Sequence, residues 1–337
     1  MYRDRIPFYQ EVERLRNSKV LVYVTGDRQN MGTKIHSEVI HFFADHLDTF
    51  PSPSVDKISL FIYSPGGDTL AGWSIVNLIR QFCKQFEVIV PSRAQSTATL
   101  ICLGAEKIVM TKQATLGPID PSVNNPLNPQ IPGAPPQVRM PISVEAIAGY
   151  FDLAQKHLNI KSKEHLNSIF LKLTDHVHPV ALGNVYRART QIQMLAEKLL
   201  KFHTNADGEK KIKKIISVLC NESGSHDYTI NRKEAADELS LPIEKPNTEL
   251  YGIIKNIFTD IRNELELDSA FNANTILGGQ ATTDYKCTRG LIESITGGSH
   301  RFVTEGVLST TTVPTPAGPQ EAVTDKRIFE GWKYEGI

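Results

Sequence analysis

Two stretches decide the fold: Leu60-Phe61-Ile62-Tyr63-Ser64-Pro65-Gly66-Gly67-Asp68-Thr69 and, after one helical run, Val88-Ile89-Val90-Pro91-Ser92-Arg93-Ala94-Gln95-Ser96-Thr97-Ala98-Thr99. Each is an apolar strand closed by small residues and followed by a helix-forming run. In the first, Gly66-Gly67 at the strand end permits close backbone approach and unusual dihedrals, leaving N–H groups directed outward. In the second, Ser96 stands where a strand ends and a helix begins, so free N–H groups and the positive dipole end favour negative charge there. Both turns are expected at the carboxyl ends of neighbouring strands, the usual ligand side of an open α/β sheet.

The surrounding sequence repeats this rhythm. Lys19–Thr25, Ile58–Tyr63, Val88–Val90 and Lys107–Met110 read as buried strands, with helices expected over 8–17, 36–50, 69–82 and from Ser96 to about Leu103. Strands alternating with helices imply an α/β fold with a mostly parallel sheet. In the helix after Asp68, Trp73, Val76, Ile79 and Phe82 are expected in the core. From 118 to 141 the chain is Pro-rich and reads as a long functional loop. Helices are expected at about 143–158, 161–174, 179–203 and 247–266, with a shorter one beginning near Asn231. The C-terminal region shows strand-like pieces at Arg301-Phe302-Val303 and Arg327-Ile328-Phe329. Two parts are therefore expected: a core over 1–245, and a C-terminal helix and mixed extension over 246–337 of unknown role.

Composition removes several function classes. The 337 residues carry 37 basic and 37 acidic side chains, a formal net charge of +0, so no global field recruits nucleic acid. The four cysteines form no CxxC pair; Cys83 and Cys102 lie in apolar runs and read as reduced core residues. No signal-peptide pattern and no apolar run near bilayer length are found, so no membrane span and a cytoplasmic location are expected. Lys210-Lys211-Ile212-Lys213-Lys214 reads as a solvated helix face.

Taken alone, Ser-Pro-Gly-Gly is an ordinary turn and Ser96 an ordinary helix cap. Together, on consecutive strand–turn–helix units, they supply a hydroxyl nucleophile and backbone donors for acyl transfer. An oxyanion would sit between the N–H groups of Gly67 and Thr97, with Gly66 and Asp68 beside the bound substrate.

The order Ser64-Pro65-Gly66-Gly67 followed by Ala94-Gln95-Ser96-Thr97-Ala98 resembles the Clp protease and signal peptide peptidase superfamily, which shares the crotonase fold. Closer still is the serine dehydrogenase proteinase family, whose pattern is similar to Val22-Tyr23-Val24-Thr25, Tyr63–Thr69, Leu116-Gly117-Pro118-Ile119-Asp120-Pro121 and His226-Asp227-Tyr228. The resemblance covers roughly 10–245 and implies ββα-type units with flanking helices. It implies a serine peptidase with Ser96 as nucleophile and Gly67 and Thr97 lining the oxyanion hole. It also implies a peptide or protein substrate, a homo-oligomer (trimer or hexamer), and the Pro-rich loop bordering the substrate groove. No GxGxxG follows any strand, so the dehydrogenase of the family name has no sequence support; no cofactor and no metal are expected.

The general base departs from the Clp pattern. Where Clp proteases carry a histidine, this chain has Asp120, whose ordinary pKa near 4 makes it a weak base unless desolvated; its other reading is a turn residue between two prolines. His226 precedes Asn231–Ala235, which resembles the Clp segment after its third triad residue, and histidine is well poised as a base; its other reading is a loop histidine capping a helix. His176 and His178 are read as helix-start residues before Pro179, and Lys163 and Lys172 as solvated. The alternative to an enzyme is an inactive oligomeric scaffold or peptide-binding member of the same fold. A third is acyl-CoA chemistry of the crotonase type, which needs no serine nucleophile.

Overall fold

The computed structural model describes residues 1–337 except 52–53, 120–121, 124, 136, 204–207, 223–226, 316–317 and 337. In chain order, helix α1 (Tyr2–Arg16) leads into β1 (Lys19–Thr25), α2 (Val39–Asp48), β2 (Val55–Tyr63), α3 (Thr69–Phe82), β3 (Cys83–Val90), β4 (Arg93–Ala94), α4 (Thr97–Leu103), β5 (Lys107–Met110) and β6 (Thr115–Leu116). There follow β7 (Ser122–Val123), β8 (Ile142–Ser143), α5 (Val144–Asp152), α6 (Lys163–Thr174), α7 (Pro179–Lys201), α8 (Glu209–Ser217) and β9 (Ile230–Asn231). The chain closes with α9 (Arg232–Asp237), β10 (Ile243–Glu244), α10 (Thr248–Glu264), α11 (Ala273–Leu277), β11 (Thr282–Ser294), β12 (Gly298–Thr315) and β13 (Gly318–Tyr334).

The main sheet is eight-stranded, in the order β10-β5-β3-β2-β1-β11-β12-β13. The first five run parallel, and β11, β12 and β13 add antiparallel to β1 and to one another. In β1 every residue after Lys19 is buried, and in β2 every residue from Ile58 on. Such runs, apolar on both faces and rich in β-branched and aromatic residues, suit the middle of a parallel sheet. They pair directly, with Leu21 opposite Leu60 and Tyr23 opposite Ile62. The α/β class and the mostly parallel sheet are as expected.

Some boundaries differ from the sequence reading. Helix α1 begins at Tyr2, not after Pro7, because Tyr2 and Arg5 are anchored by tertiary contacts. Arg5, fully buried, holds the equally buried Glu293 of β11 through Nη2 at 2.6 Å, and Tyr9 Oη donates to the same carboxylate at 2.6 Å. Asp260 and Glu264 of α10 also bind Arg5. In α3 the buried stripe is Ala71, Gly72, Ile75, Val76 and Ile79, whereas Trp73 and Phe82, also expected in the core, are half-buried. The small residues of that stripe let α3 approach α4 closely, which leaves the bulky indole at the margin. Cys83, expected in the core, is also only half-buried, while Cys102 is fully buried.

The division of the chain also differs from the expected boundary after residue 245. One compact unit comprises 1–116 with 231–337, and the other 117–230. The physical reason is strand pairing: β11 lies directly against β1, with Val22 opposite Glu293 and Val24 opposite Leu291, so the last strands complete the main sheet of the first unit. Its core contains Val20, Val22, Phe61, Ile89 and Val109 of the sheet with Ile254, Ile257 and Ile261 of α10. The strand-like pieces at 301–303 and 327–329 are parts of a long β12–β13 hairpin.

A polar cluster is buried within this unit. His46 of α2 lies 2.8 Å from Ser294 Oγ through Nδ1 and 2.9 Å from His300 Nδ1 through Nε2. Gly297 N–H donates to Ser294 Oγ at 2.9 Å. Burial, with His300 adding, pushes the His46 imidazole down to about 3, so it is held neutral.

The second unit is largely helical. It is built on α5, α6, α7 and α8, with the β7–β8 pair at Ser122↔Ser143. His178 caps α7, its Nδ1 accepting from Val180 N–H at 3.1 Å ahead of Pro179.

Candidate active site

The two turns meet in space. At the end of β2, Ser64 N–H donates to Arg93 O at 3.1 Å and Gln95 N–H donates to Ser64 O at 3.0 Å, so the chain around β4 extends the sheet beside the glycine turn. Thr97 Oγ1 then donates to Gly67 O at 2.7 Å. Below these contacts α3 and α4 touch: a Cβ on Gly72 would lie 2.5 Å from Thr97 Cγ2.

The glycine turn is held from the other side by Ile35, which forms a parallel bridge with Gly67. Ile35 N–H donates to Gly66 O at 2.9 Å and Ile35 O accepts from Asp68 N–H at 2.8 Å. Gly67 N–H is left without a hydrogen-bond partner among the described residues. Both glycines are required here. Gly66 has φ +107, and a Cβ on it would stand 2.6 Å from Ser96 Cβ and 3.1 Å from Ser96 Oγ. At Gly67, with φ +154, a Cβ would lie 2.1 Å from Ile35 O. Asp68 caps α3, its carboxylate accepting from Leu70 N–H at 2.8 Å and Ala71 N–H at 3.4 Å.

Ser96 departs from ordinary helix-capping behaviour. It precedes α4 with φ 52 and ψ −117, a sparsely populated positive-φ conformation costly for a residue with a Cβ, and its side chain makes no capping hydrogen bond. The backbone enforces this: Ala98 N–H donates to Gln95 O and Leu100 N–H to Ser96 O, both at 3.0 Å. All seven residues of α4 are buried, while Ser96 and Gly67 are only half-buried and so reachable by a ligand. Among the described residues no side chain hydrogen-bonds Ser96 Oγ, and Thr97 N–H, at the first position of α4, also has no partner.

Further residues support the site. Thr25 Oγ1, at the end of β1, donates to Ser64 Oγ at 2.6 Å, and Ser64 Oγ accepts from Gly66 N–H at 3.0 Å. Both side chains are buried, and together they set the plane of the glycine turn. Asp27 accepts from Tyr63 Oη at 2.7 Å and pairs with Arg93 at 2.5 Å, joining the ends of β2 and β4. Burial, with Asp27 adding, pushes the Tyr63 hydroxyl up, so it stays a donor. Thr25 and Ser64 fall inside the family-like motifs and were legible there; Ile35, Asp27 and Arg93 carry no local signal because their roles arise from pairing across the sheet.

The structure thus brings Gly66, Gly67, Asp68, Ser96 and Thr97 together in the first unit. Asp120 and His226 lie outside the described residues. Chemically, the cluster offers a strained, uncapped hydroxyl beside two unengaged backbone N–H donors, the parts needed to attack an acyl carbon and hold the resulting oxyanion.

An uncharacterized protein of Methanocaldococcus jannaschii is 30% identical over 193 residues, 57% of this chain and 55% of that protein. The chain thus spans about half the length of that relative. A second uncharacterized protein of the same organism is 26% identical over 255 residues, 73% of this chain and 75% of that protein. Among solved structures, a mutant of the 1510-N membrane-bound stomatin-specific protease is similar with TM-score 0.39 and 16% identity, covering 70% of this chain and 85% of that one. ClpP1 from Listeria monocytogenes gives 0.37 and 17%, covering 71% and 99%. Residues 4–137, which contain both turns, match the family of ClpP-like SDH-type serine proteinases, the family that the ordered motifs resemble.

Proposed function

We propose that the chain is a serine peptidase that cleaves peptide bonds through an acyl-enzyme on Ser96. The observation that carries this reading is the conformation of Ser96 itself. A serine ahead of a helix ordinarily turns its hydroxyl onto the helix N–H groups. Here it is held at positive φ, pressed against Gly66, with its hydroxyl uncapped. Such strain is retained where a side chain has to be presented rather than packed.

In this mechanism Ser96 Oγ attacks the scissile carbonyl carbon and its proton passes to a general base. The carbonyl oxygen, now anionic, is held by the N–H groups of Gly67 and Thr97; loss of one such donor typically costs about 10²–10³ in rate. The amine leaves with a proton from the base, and water, activated by the same base, releases the acyl group. Gly66 and Asp68 border the bound peptide. Asp120 and His226 are the two proposed bases. A histidine base confers a rate that rises with pH through the imidazole range, whereas a carboxylate base confers a plateau reached well below it. Action as a trimer or hexamer in the cytoplasm on peptide or protein substrates completes the proposal.

The test is hydrolysis of an unfolded protein substrate by the wild type, Ser96→Ala, His226→Gln and Asp120→Asn. Ser96→Ala is expected to lose activity by about 10³-fold or more, and the kcat/KM pH profile of the other two identifies the base. Equal activity of wild type and Ser96→Ala overturns the reading. Absence of hydrolysis by the wild-type oligomer, with peptide still bound, supports the scaffold instead.

A further inference from the structure

The peptide that joins Gly66 to Gly67 is oriented by its carbonyl. Ile35 N–H donates to Gly66 O at 2.9 Å. In a planar trans peptide the C=O and the following N–H point in opposite directions, so this bond turns Gly67 N–H away from Ile35. The next peptide is set in the same way. Asp68 N–H donates to Ile35 O at 2.8 Å, which turns Gly67 O to the far side, where Thr97 Oγ1 donates to it at 2.7 Å. Gly67 N–H therefore faces the side on which α4 begins.

The amide on the other flank of Gly66 is held by two hydroxyls. Gly66 N–H donates to Ser64 Oγ at 3.0 Å, and Thr25 Oγ1 donates to the same oxygen at 2.6 Å. Ser64 Oγ thus accepts twice, and its own hydrogen is left facing Gly66 O, 3.5 Å away. Both side chains are buried. The bond from Gly66 to the serine two residues earlier is an ordinary local turn contact. The bond from Thr25 is not local, since it spans 39 positions of sequence. A valine would fill the Thr25 site with the same shape and bring no hydroxyl to satisfy, so packing alone does not call for threonine there. What the threonine adds is a fixed Ser64 hydroxyl: with one lone pair engaged by Thr25, the other is aimed at Gly66 N–H.

We propose that Thr25 and Ser64 are positioning residues for the reaction at Ser96, their paired hydroxyls keeping the Gly66–Gly67 peptide turned so that Gly67 N–H meets the developing oxyanion; this rests on the reading of Ser96 as nucleophile and Gly67 N–H as oxyanion donor. Two consecutive glycines rotate readily unless their neighbours prevent it, because glycine populates both signs of φ. A donor contributes to the rate only when it is already aimed at the place where charge develops. Ile35 fixes one flank of Gly66 and the hydroxyl pair the other. Loss of the pair lets Gly67 N–H turn while every group that touches substrate stays in place. The effect therefore falls on the chemical step and spares binding.

The experiment is the kinetics of fluorophosphonate labelling of the full chain. Ser96 Oγ bonds to phosphorus as fluoride leaves, the hydroxyl proton passes to the base, and the phosphoryl oxygen gains charge where an oxyanion would sit. The maximal rate, kinact, reports that step, and the half-saturating probe concentration, KI, reports binding. Thr25→Val is expected to lower kinact by about tenfold and Ser64→Ala by about 10²-fold, with KI changed by less than about twofold. Thr25→Ser keeps the hydroxyl and is expected to restore kinact to within about threefold of the wild type. Rates are read well below each thermal midpoint, so a variant that is merely less stable labels at the wild-type kinact. The two Thr25 variants decide the matter even where Ser64→Ala does not fold. A wild-type kinact in Thr25→Val, a rise in KI in place of the fall in kinact, or a Thr25→Ser as slow as Thr25→Val would overturn the inference and leave Ser96 as nucleophile. No labelling of Ser96 in the wild type would overturn the peptidase reading and this inference with it.

Discussion

Helices α4 and α6 show how differently the two units are packed. In α4, of the first unit, all seven residues are buried. In α6, of the second unit, none is, although the helix carries Leu166, Ile169, Phe170, Leu171 and Leu173; Phe170 is 44% and Leu171 55% exposed. A cavity of about 660 Å³, lined by Ile147, Phe151, Phe170, Leu173 and Val185 among others, lies within that second unit. The first unit holds a strained serine and two glycines in place through the Ile35 bridge, the pairing of Ser64 with the chain around β4 and the buried Thr25–Ser64 contact. The second unit leaves apolar surface open. Preorganisation is thus concentrated in the first unit.

This contrast is strongest at the glycine turn. Gly67→Ala would drive a Cβ onto the backbone oxygen of Ile35, which cannot rotate away, so a stability loss of about 4 kcal/mol or more is expected in denaturant unfolding. A loss below about 1 kcal/mol would mean that the Ile35 bridge is loose and the site is not preorganised.

A somewhat smaller effect is expected where α1 joins the sheet. Arg5→Ala leaves the buried Glu293 carboxylate without its guanidinium, which costs about 3–5 kcal/mol. Calorimetry should show the loss, and replacing Arg5 and Glu293 together by apolar residues should recover much of it.

Acid should weaken the first unit next. His46 titrates near 6.5 in the unfolded chain and near 3 when buried. The unfolded state therefore takes up a proton that the folded state refuses between these values. The stability is fully present above about pH 6.5 and is lost as pH falls toward 3, by at most about 1.4 kcal/mol per pH unit. His46→Gln should flatten this slope; an unchanged slope would show that the histidine pair is not the sensor. The smallest effect is expected in α6, where Phe170→Ala or Leu171→Ala should cost under about 1 kcal/mol by the same measurement. A large loss there would show that these side chains are covered.

Much of the first unit was legible in the chain because its signals are local. The buried runs of β1, β2 and β3, the cap Asp68 and the small residues of the two turns each announce their structure within a few positions. The pairing of β11 with β1 was not legible, because antiparallel addition of a strand from 282–294 beside residue 22 leaves no local mark; only alternation shows, and the C-terminal segment was accordingly read as an extension. The site divides in the same way. Gly66, Gly67, Ser96 and Thr97 stand in strand–turn–helix signatures, whereas the support from Ile35, Asp27 and Arg93 depends on which strands become neighbours. The conformation of Ser96 lay outside any sequence signal, since an ordinary cap and a presented nucleophile share the same letters.

The Ser96 hydroxyl, presented in this way, is proposed to be a nucleophile. The most direct measurement is labelling with a fluorophosphonate, followed by mass spectrometry of the modified peptide, on the wild-type chain and on Ser96→Ala. A single adduct on Ser96 is expected in the wild type and none in the variant; an unlabelled Ser96 in the folded wild type, or equal labelling of the variant, would overturn that role.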